Sequence, residues 1–154
     1  MIRHAVVSSC GQYRYSLERH WTAAEPAVFV MLNPSTADGT HDDPTIRRCI
    51  GFARSWGFGG LRVLNLFAYR STNPRNLVLV EDPVGPANDA YLREAARGGE
   101  LICAWGAYPA PERVEFLRSL GARLSAISLT KAGSPAHPLY LHAASKLVEF
   151  HGHA

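Results

Sequence analysis

The sequence predicts an α/β fold: a three-layer α/β/α sandwich around a four-stranded parallel sheet, with a short N-terminal β-hairpin. Three observations lead to it. Four short apolar runs alternate with stretches of helical periodicity, as parallel strands covered on both faces do. At 154 residues, 47% hydrophobic and 19% charged, the chain has the composition of one globular domain with its own core. Polar residues gather immediately after the apolar runs, at the strand ends where open α/β sheets bind ligands. With no internal repeat, low-complexity tract or linker, residues 1–154 read as a single domain.

Residues 3–9 and 13–19 are β-prone runs around Cys10-Gly11-Gln12 and form the hairpin, with Tyr13, Tyr15 and Leu17 alternating onto one face. Residues 27–32 are the first apolar strand, stopped by Asn33-Pro34. A polar loop runs to Asp43, which stands as N-cap before Pro44 at the first helical position. Over residues 44–56, Ile46, Cys49, Ile50, Ala53 and Trp56 recur at helical spacing, and glycines within 57–60 end the helix. Residues 61–68 are the second strand and 69–74 the loop after it. A turn at 82–86 leads into a helix over 87–97, and the third strand, 101–106, ends on Trp105-Gly106. A helix over 112–120, a fourth strand over 123–129, a polar loop over 130–138 and a closing helix over 141–150 complete the chain.

The net charge of +3 is carried almost wholly by arginine, which suits bidentate contacts to phosphate or carboxylate. It permits a nucleic acid or nucleotide partner without requiring one. The chain lacks the run of about twenty apolar residues that a membrane span needs. Its opening, Met1-Ile2-Arg3-His4, lacks the apolar segment of a signal peptide, so the expected location is cytoplasmic. Cys10, Cys49 and Cys103 are odd in number and far apart, and read as reduced thiols, two of them in apolar surroundings. None of the seven histidines has a His-x-x-x-His spacing, and His151 and His153 lie in a tail expected to fray. Neither a metal nor a cofactor is expected.

The chemistry concentrates in four places, each at or just past a strand's carboxyl end: Asn33, Asn65, Trp105-Gly106 and His137. In a parallel sheet those ends share one edge, so the four loops converge. Asn33 with Ser35 and Thr36 forms either a plain turn or a group that orients a water or polar ligand. An amide is not a strong base, so hydrolysis using it relies on positioning. Asp38, Asp42 and Asp43 add carboxylates to the same loop, with capping as the competing explanation for Asp43. Arg47 and Arg48 diverge by about 100° around the helix, so at most one faces the site. Asn65 is out of place in a buried strand unless it caps backbone or reads a ligand's donor and acceptor edge, as an amide can read a base. Tyr69 and Arg70 stand where they can stack on a base or meet a phosphate, and Lys131 lies in the last polar loop.

The segments 31–38, 43–48, 63–70 and 133–140 resemble domain-of-unknown-function family 1643 over nearly the whole chain. A more distant similarity is to the uracil-DNA glycosylase superfamily, in its mismatch-specific branch. Leu32-Asn33-Pro34 resembles that branch's water-positioning motif, and Val63-Leu64-Asn65 the strand whose asparagine reads the base. Ala104-Trp105-Gly106 resembles a strand ending in Leu-Trp-Gly, and His137-Pro138 the motif whose histidine bonds the departing base. Leu32 replaces a glycine of that pattern and Leu139 a phosphate-binding serine. The resemblance implies a glycosylase-like fold and an N-glycosidic-bond hydrolase, with Asn33 and His137 catalytic and Asn65 and Tyr69 at the base. Ser35, Thr36, Asp38, Asp43, Arg47, Arg48, Arg70 and Lys131 are then the candidate phosphate or loop contacts. A non-catalytic nucleic-acid or nucleotide-binding module is the first alternative. A hydrolase of another small ligand, using Asp38, Asp42 and Asp43, is the second.

Overall fold

A computed structural model describes residues 1–152; His153 of the tail lies outside them. Its center is a seven-stranded mixed sheet in the order β1-β2-β4-β3-β5-β6-β7. The strands are β1 (Ile2–Val7), β2 (Arg14–His20), β3 (Pro26–Met31), β4 (Gly60–Asn65), β5 (Glu100–Cys103), β6 (Arg123–Ala126) and β7 (Val148–Glu149). The helices are α1 (Pro44–Ser55), α2 (Asn88–Ala96) and α3 (Pro111–Ser119), with a 3₁₀ turn at Pro74–Val78. Strands β4, β3, β5 and β6 are mutually parallel, as the four apolar runs predict.

Two features correct the expected four-stranded sheet. The hairpin is not a separate addition: β2 pairs antiparallel with β4 from Leu17↔Val63 to His20↔Gly60 and so extends the sheet. At the other edge, residues 141–150 do not form a helix; β7 pairs antiparallel with β6 through Ser125↔Glu149 and Ala126↔Val148. The reason lies in where the apolar side chains go. Leu141 and Leu147 pack on the α1 side of the sheet, whereas Phe150 packs on the other side, its ring 5.5 Å from that of Trp105. One helix cannot serve both faces; an extended chain rounding the sheet edge can.

The faces follow from strand alternation. Phe29, Met31, Leu61, Val63 and Ile102 meet Ile46, Cys49, Phe52 and Ala53 of α1. Val30, Leu64, Leu101 and Cys103 meet Leu92 and Ala95 of α2 and Val114 and Leu117 of α3. Helix α1 starts as predicted, with Asp43 accepting from the Ile46 amide at 2.8 Å. It stops at Gly57, whose φ of 85° suits glycine; Gly57 N–H reaches Arg54 O and Phe58 N–H reaches Ala53 O, a Schellman close. No helix among the described residues is long and apolar enough to cross a membrane.

The hairpin departs from simple alternation. Its register steps from Val6↔Ser16 to Val7↔Arg14, so Tyr15 is an extra residue bulged out of the ladder. Tyr13 and Tyr15 stack, and Tyr15 stacks in turn on Tyr91 of α2, while Leu17 joins the α1 side. The bulge therefore splits the face expected to hold Tyr13, Tyr15 and Leu17, and turns Arg14 inward.

Candidate functional site

The carboxyl ends of the parallel strands open onto one cavity of about 440 Å³. It lies where the chain leaves β3 toward β4 across one face and leaves β5 toward β6 across the other, the switch point of the sheet. Met31, Ile46, Val63, Trp105, Tyr108 and Leu139 form much of its apolar wall, and Asn33, Ser35, Asp43, Asn65, His137 and Arg14 its polar groups.

Alternation carries Asn65 there. Leu61 and Val63 face α1, and Asn65 takes the same face at the strand's end. Its side chain is 1% exposed, and neither Oδ1 nor Nδ2 has a protein hydrogen-bond partner. The backbone around it is pinned from the opposite layer: Asn88 Nδ2 donates to Asn65 O at 2.9 Å, and Arg113 Nε to Leu66 O at 2.8 Å. A rigid strand end thus holds, in the lining of the cavity, a donor and an acceptor that no protein group uses.

Asn33 is oriented by its own contacts. Nδ2 donates to the carbonyls of Ser71 at 2.9 Å, Pro34 at 3.2 Å and Tyr69 at 3.4 Å, knitting the loops after β3 and β4 together. This places Oδ1 at the other end of the amide as an acceptor for water or ligand.

His137 is half-buried, and its Nδ1 accepts from the Leu139 amide at 3.2 Å, so the neutral ring carries its proton on Nε2. Burial pushes its pKa below the ordinary 6.5, with the Asp43 carboxylate pulling the other way. Neutral His137 is therefore the resting form at pH 7. The unfolded chain binds a proton more readily there, so the contribution of this group to stability is complete above 6.5 and is lost as pH falls below it. Any function that needs the Nε2 donor beside an unprotonated Nδ1 should be level through pH 7 and decline only below 6.5. A pH profile still falling above pH 7 would contradict this assignment.

Asp43 serves two purposes that substitution can separate. Asp43→Ala should cost about 1 kcal/mol by loss of the cap, whereas Asp43→Ser should keep the cap and remove only the charge from the cavity. Equal thermal stability of the two variants would refute the capping role.

The other predicted contacts are not brought to the cavity. Thr36 and Lys131 are exposed. The Asp38 carboxylate turns back onto the Thr40 and His41 amides, which hold its pKa well below the usual carboxylate range. Asp42 is ion-paired with Arg19 at 2.8 Å, so the three aspartates do not form one carboxylate site. Arg47 donates to Asp42 O, and Arg48 donates to Leu141 O with its guanidinium over the Phe52 ring. Tyr69 packs against Tyr13, and Arg70 lies on the carbonyls of Ser35 and Gly11. Among the described residues no group of three or more histidine, cysteine or carboxylate side chains could hold a metal.

Sequence reasoning missed Arg14, Thr45, Ser71 and Tyr108, all of which line the cavity. Arg14 alternates with Tyr13 and Tyr15 and so reads as solvent-facing; only the bulge brings it inside. No curated protein and no solved structure matches the chain. Residues 14–139, from the buried Arg14 to Leu139 of the cavity wall, match the family described as protein of unknown function (DUF1643), and the chain belongs to that family.

Proposed function

We propose that the cavity binds a nucleobase and that the protein is an N-glycosidic-bond hydrolase with a fold of uracil-DNA glycosylase type. The unpartnered amide of Asn65 carries this reading. A buried donor and acceptor left without partners cost about 1–3 kcal/mol each, and a base edge offers a carbonyl and an N–H that satisfy both at once. The apolar and aromatic wall suits a planar ring, and a volume of about 440 Å³ is that of a small-molecule site.

In this mechanism Asn33 Oδ1 accepts from a water and directs it at C1′ of the sugar. The C1′–N bond breaks as the C1′–O bond forms, the bonding pair leaves with the base, and the water's proton passes to solvent or to the base. His137 Nε2–H donates to the base oxygen on which negative charge develops, and the Asp43 carboxylate suits the positive charge developing on the sugar. Thus Asn33 and His137 are the catalytic residues and Asn65 the reader of the base.

A second reading, base binding without hydrolysis, is favored by the full commitment of Asn33 Nδ2 to three backbone carbonyls, which gives that residue a purely structural use. One assay separates the two. Nucleosides, nucleotides and single- and double-stranded oligonucleotides carrying uracil, hypoxanthine or mismatched thymine are incubated with the protein, and free base is measured. Release that falls roughly 100-fold or more in His137→Ala supports hydrolysis. Saturable binding without release selects the binding reading. Neither binding nor release overturns both.

A further inference from the structure

Arg14 is a cavity residue with no explanation in the base-recognition reading. Its side chain is 3% exposed, yet of the guanidinium nitrogens only Nη1 has a protein partner, the carbonyl of Ala37 at 2.8 Å; Nε is buried with none. It makes no ion pair among the described residues, and neither does Asp43, the carboxylate that shares the cavity. Its neighbors are otherwise occupied. Arg19 is matched by Asp42, and Arg70 rests on two backbone carbonyls. Burial lowers the Arg14 pKa to about 10, which still leaves it charged at pH 7. The Asp43 and Asp38 carboxylates attract the guanidinium from a distance without pairing with it, so its remaining donors keep the planar geometry that oxyanions take up.

We propose that Arg14 is the anchor for an oxyanion carried by the same ligand whose base meets Asn65, so that the site takes a free anionic nucleotide or base and not a nucleobase within a polynucleotide. The inference rests on the nucleobase reading. The choice of a free ligand follows from burial: a guanidinium enclosed in the wall is open to a small molecule that enters the cavity whole. The phosphates of a polynucleotide stay with the chain outside. Two sources supply the oxyanion: the phosphate of a nucleoside monophosphate, or a carboxylate on the base itself.

The test is a titration of the wild-type protein with matched pairs: uridine against uridine 5′-monophosphate, and uracil against its 6-carboxylate. Ribose 5-phosphate and a uracil-containing single-stranded oligonucleotide complete the series. The proposal expects one anionic member to bind roughly 10- to 100-fold more tightly than its neutral partner. That preference for the anionic member over its neutral partner should be lost in Arg14→Met. Because the wild-type series alone reads the preference, the proposal remains testable if Arg14→Met fails to fold. Equal affinities within both pairs overturn the anchor and leave base recognition intact. Ribose 5-phosphate binding as tightly as the nucleotide, with loss in Arg14→Met, keeps the anchor and overturns the base reading. An oligonucleotide that binds more tightly than either free anion overturns the free-ligand assignment, and no binding by any member overturns both.

Discussion

Asn65→Leu is expected to yield a protein that is more stable than the wild type and unable to bind a base. The amide is enclosed and both of its polar atoms lack protein partners. Leucine keeps the branch at Cγ, removes two unsatisfied groups, and has the cavity beside it to receive its extra volume. A gain of about 1 kcal/mol follows, equivalent to a rise in Tm of roughly 2–4 °C for a chain of this size. Base affinity should fall at least roughly 100-fold, because a site built to hydrogen-bond its ligand loses most of its discrimination with those bonds. Thermal denaturation and ligand titration of the same sample read both effects. A variant destabilised by more than about 2 kcal/mol would make the amide part of the fold's own support. A variant that binds as the wild type does would remove Asn65 from recognition.

The second large effect is structural and concerns Asp42, one of the three aspartates that the sequence offers as a carboxylate site. Arg19 is fully buried on β2, and its guanidinium donates to Asp42 Oδ1 at 2.8 Å, Glu18 O at 2.8 Å, Asp38 O at 2.5 Å and His41 O at 3.2 Å. This one side chain gathers the loop that ends in the Asp43 cap. Asp42→Ala should cost about 3–5 kcal/mol, since it leaves a buried guanidinium without its carboxylate. Arg19→Met in the Asp42→Ala background should cost less than it does alone, giving a coupling of roughly 2–3 kcal/mol in a denaturant double-mutant cycle. Additive losses would show that the pair does not hold the loop. Loss of function in Asp42→Ala with unchanged stability would return Asp42 to the chemistry.

The parallel core was legible because buried strands announce themselves as continuous apolar runs, and α1 because Asp43, Pro44 and Gly57 punctuate it. The convergence of Asn33, Asn65 and His137 on one cavity followed from strand ends alone. The edges were not legible. Pairing of β2 with β4 joins residues far apart in sequence, and nothing in residues 14–20 names its partner. The segment 141–150 carries apolar residues that serve opposite faces, which imitates helical composition without helical geometry. Arg14 was hidden because a bulge shifts the parity of every residue before it, and Tyr15-Ser16 carries no glycine to mark one. Arg47, Arg48 and Arg70 went the other way: plausible ligand contacts by type, each instead set on backbone carbonyls.

The central claim is that Asn65 reads a base, and its side-chain N–H₂ group reports on that contact directly. In a ¹⁵N-labelled sample, the Asn65 amide pair is assigned by its disappearance in Asn65→Leu and followed during titration with the tightest ligand of the uracil and uridine series. The account predicts that this pair shifts in step with saturation, as both of its unused groups take up the base edge. Saturable binding that leaves the Asn65 pair unmoved would contradict it, and the cavity would then need another ligand.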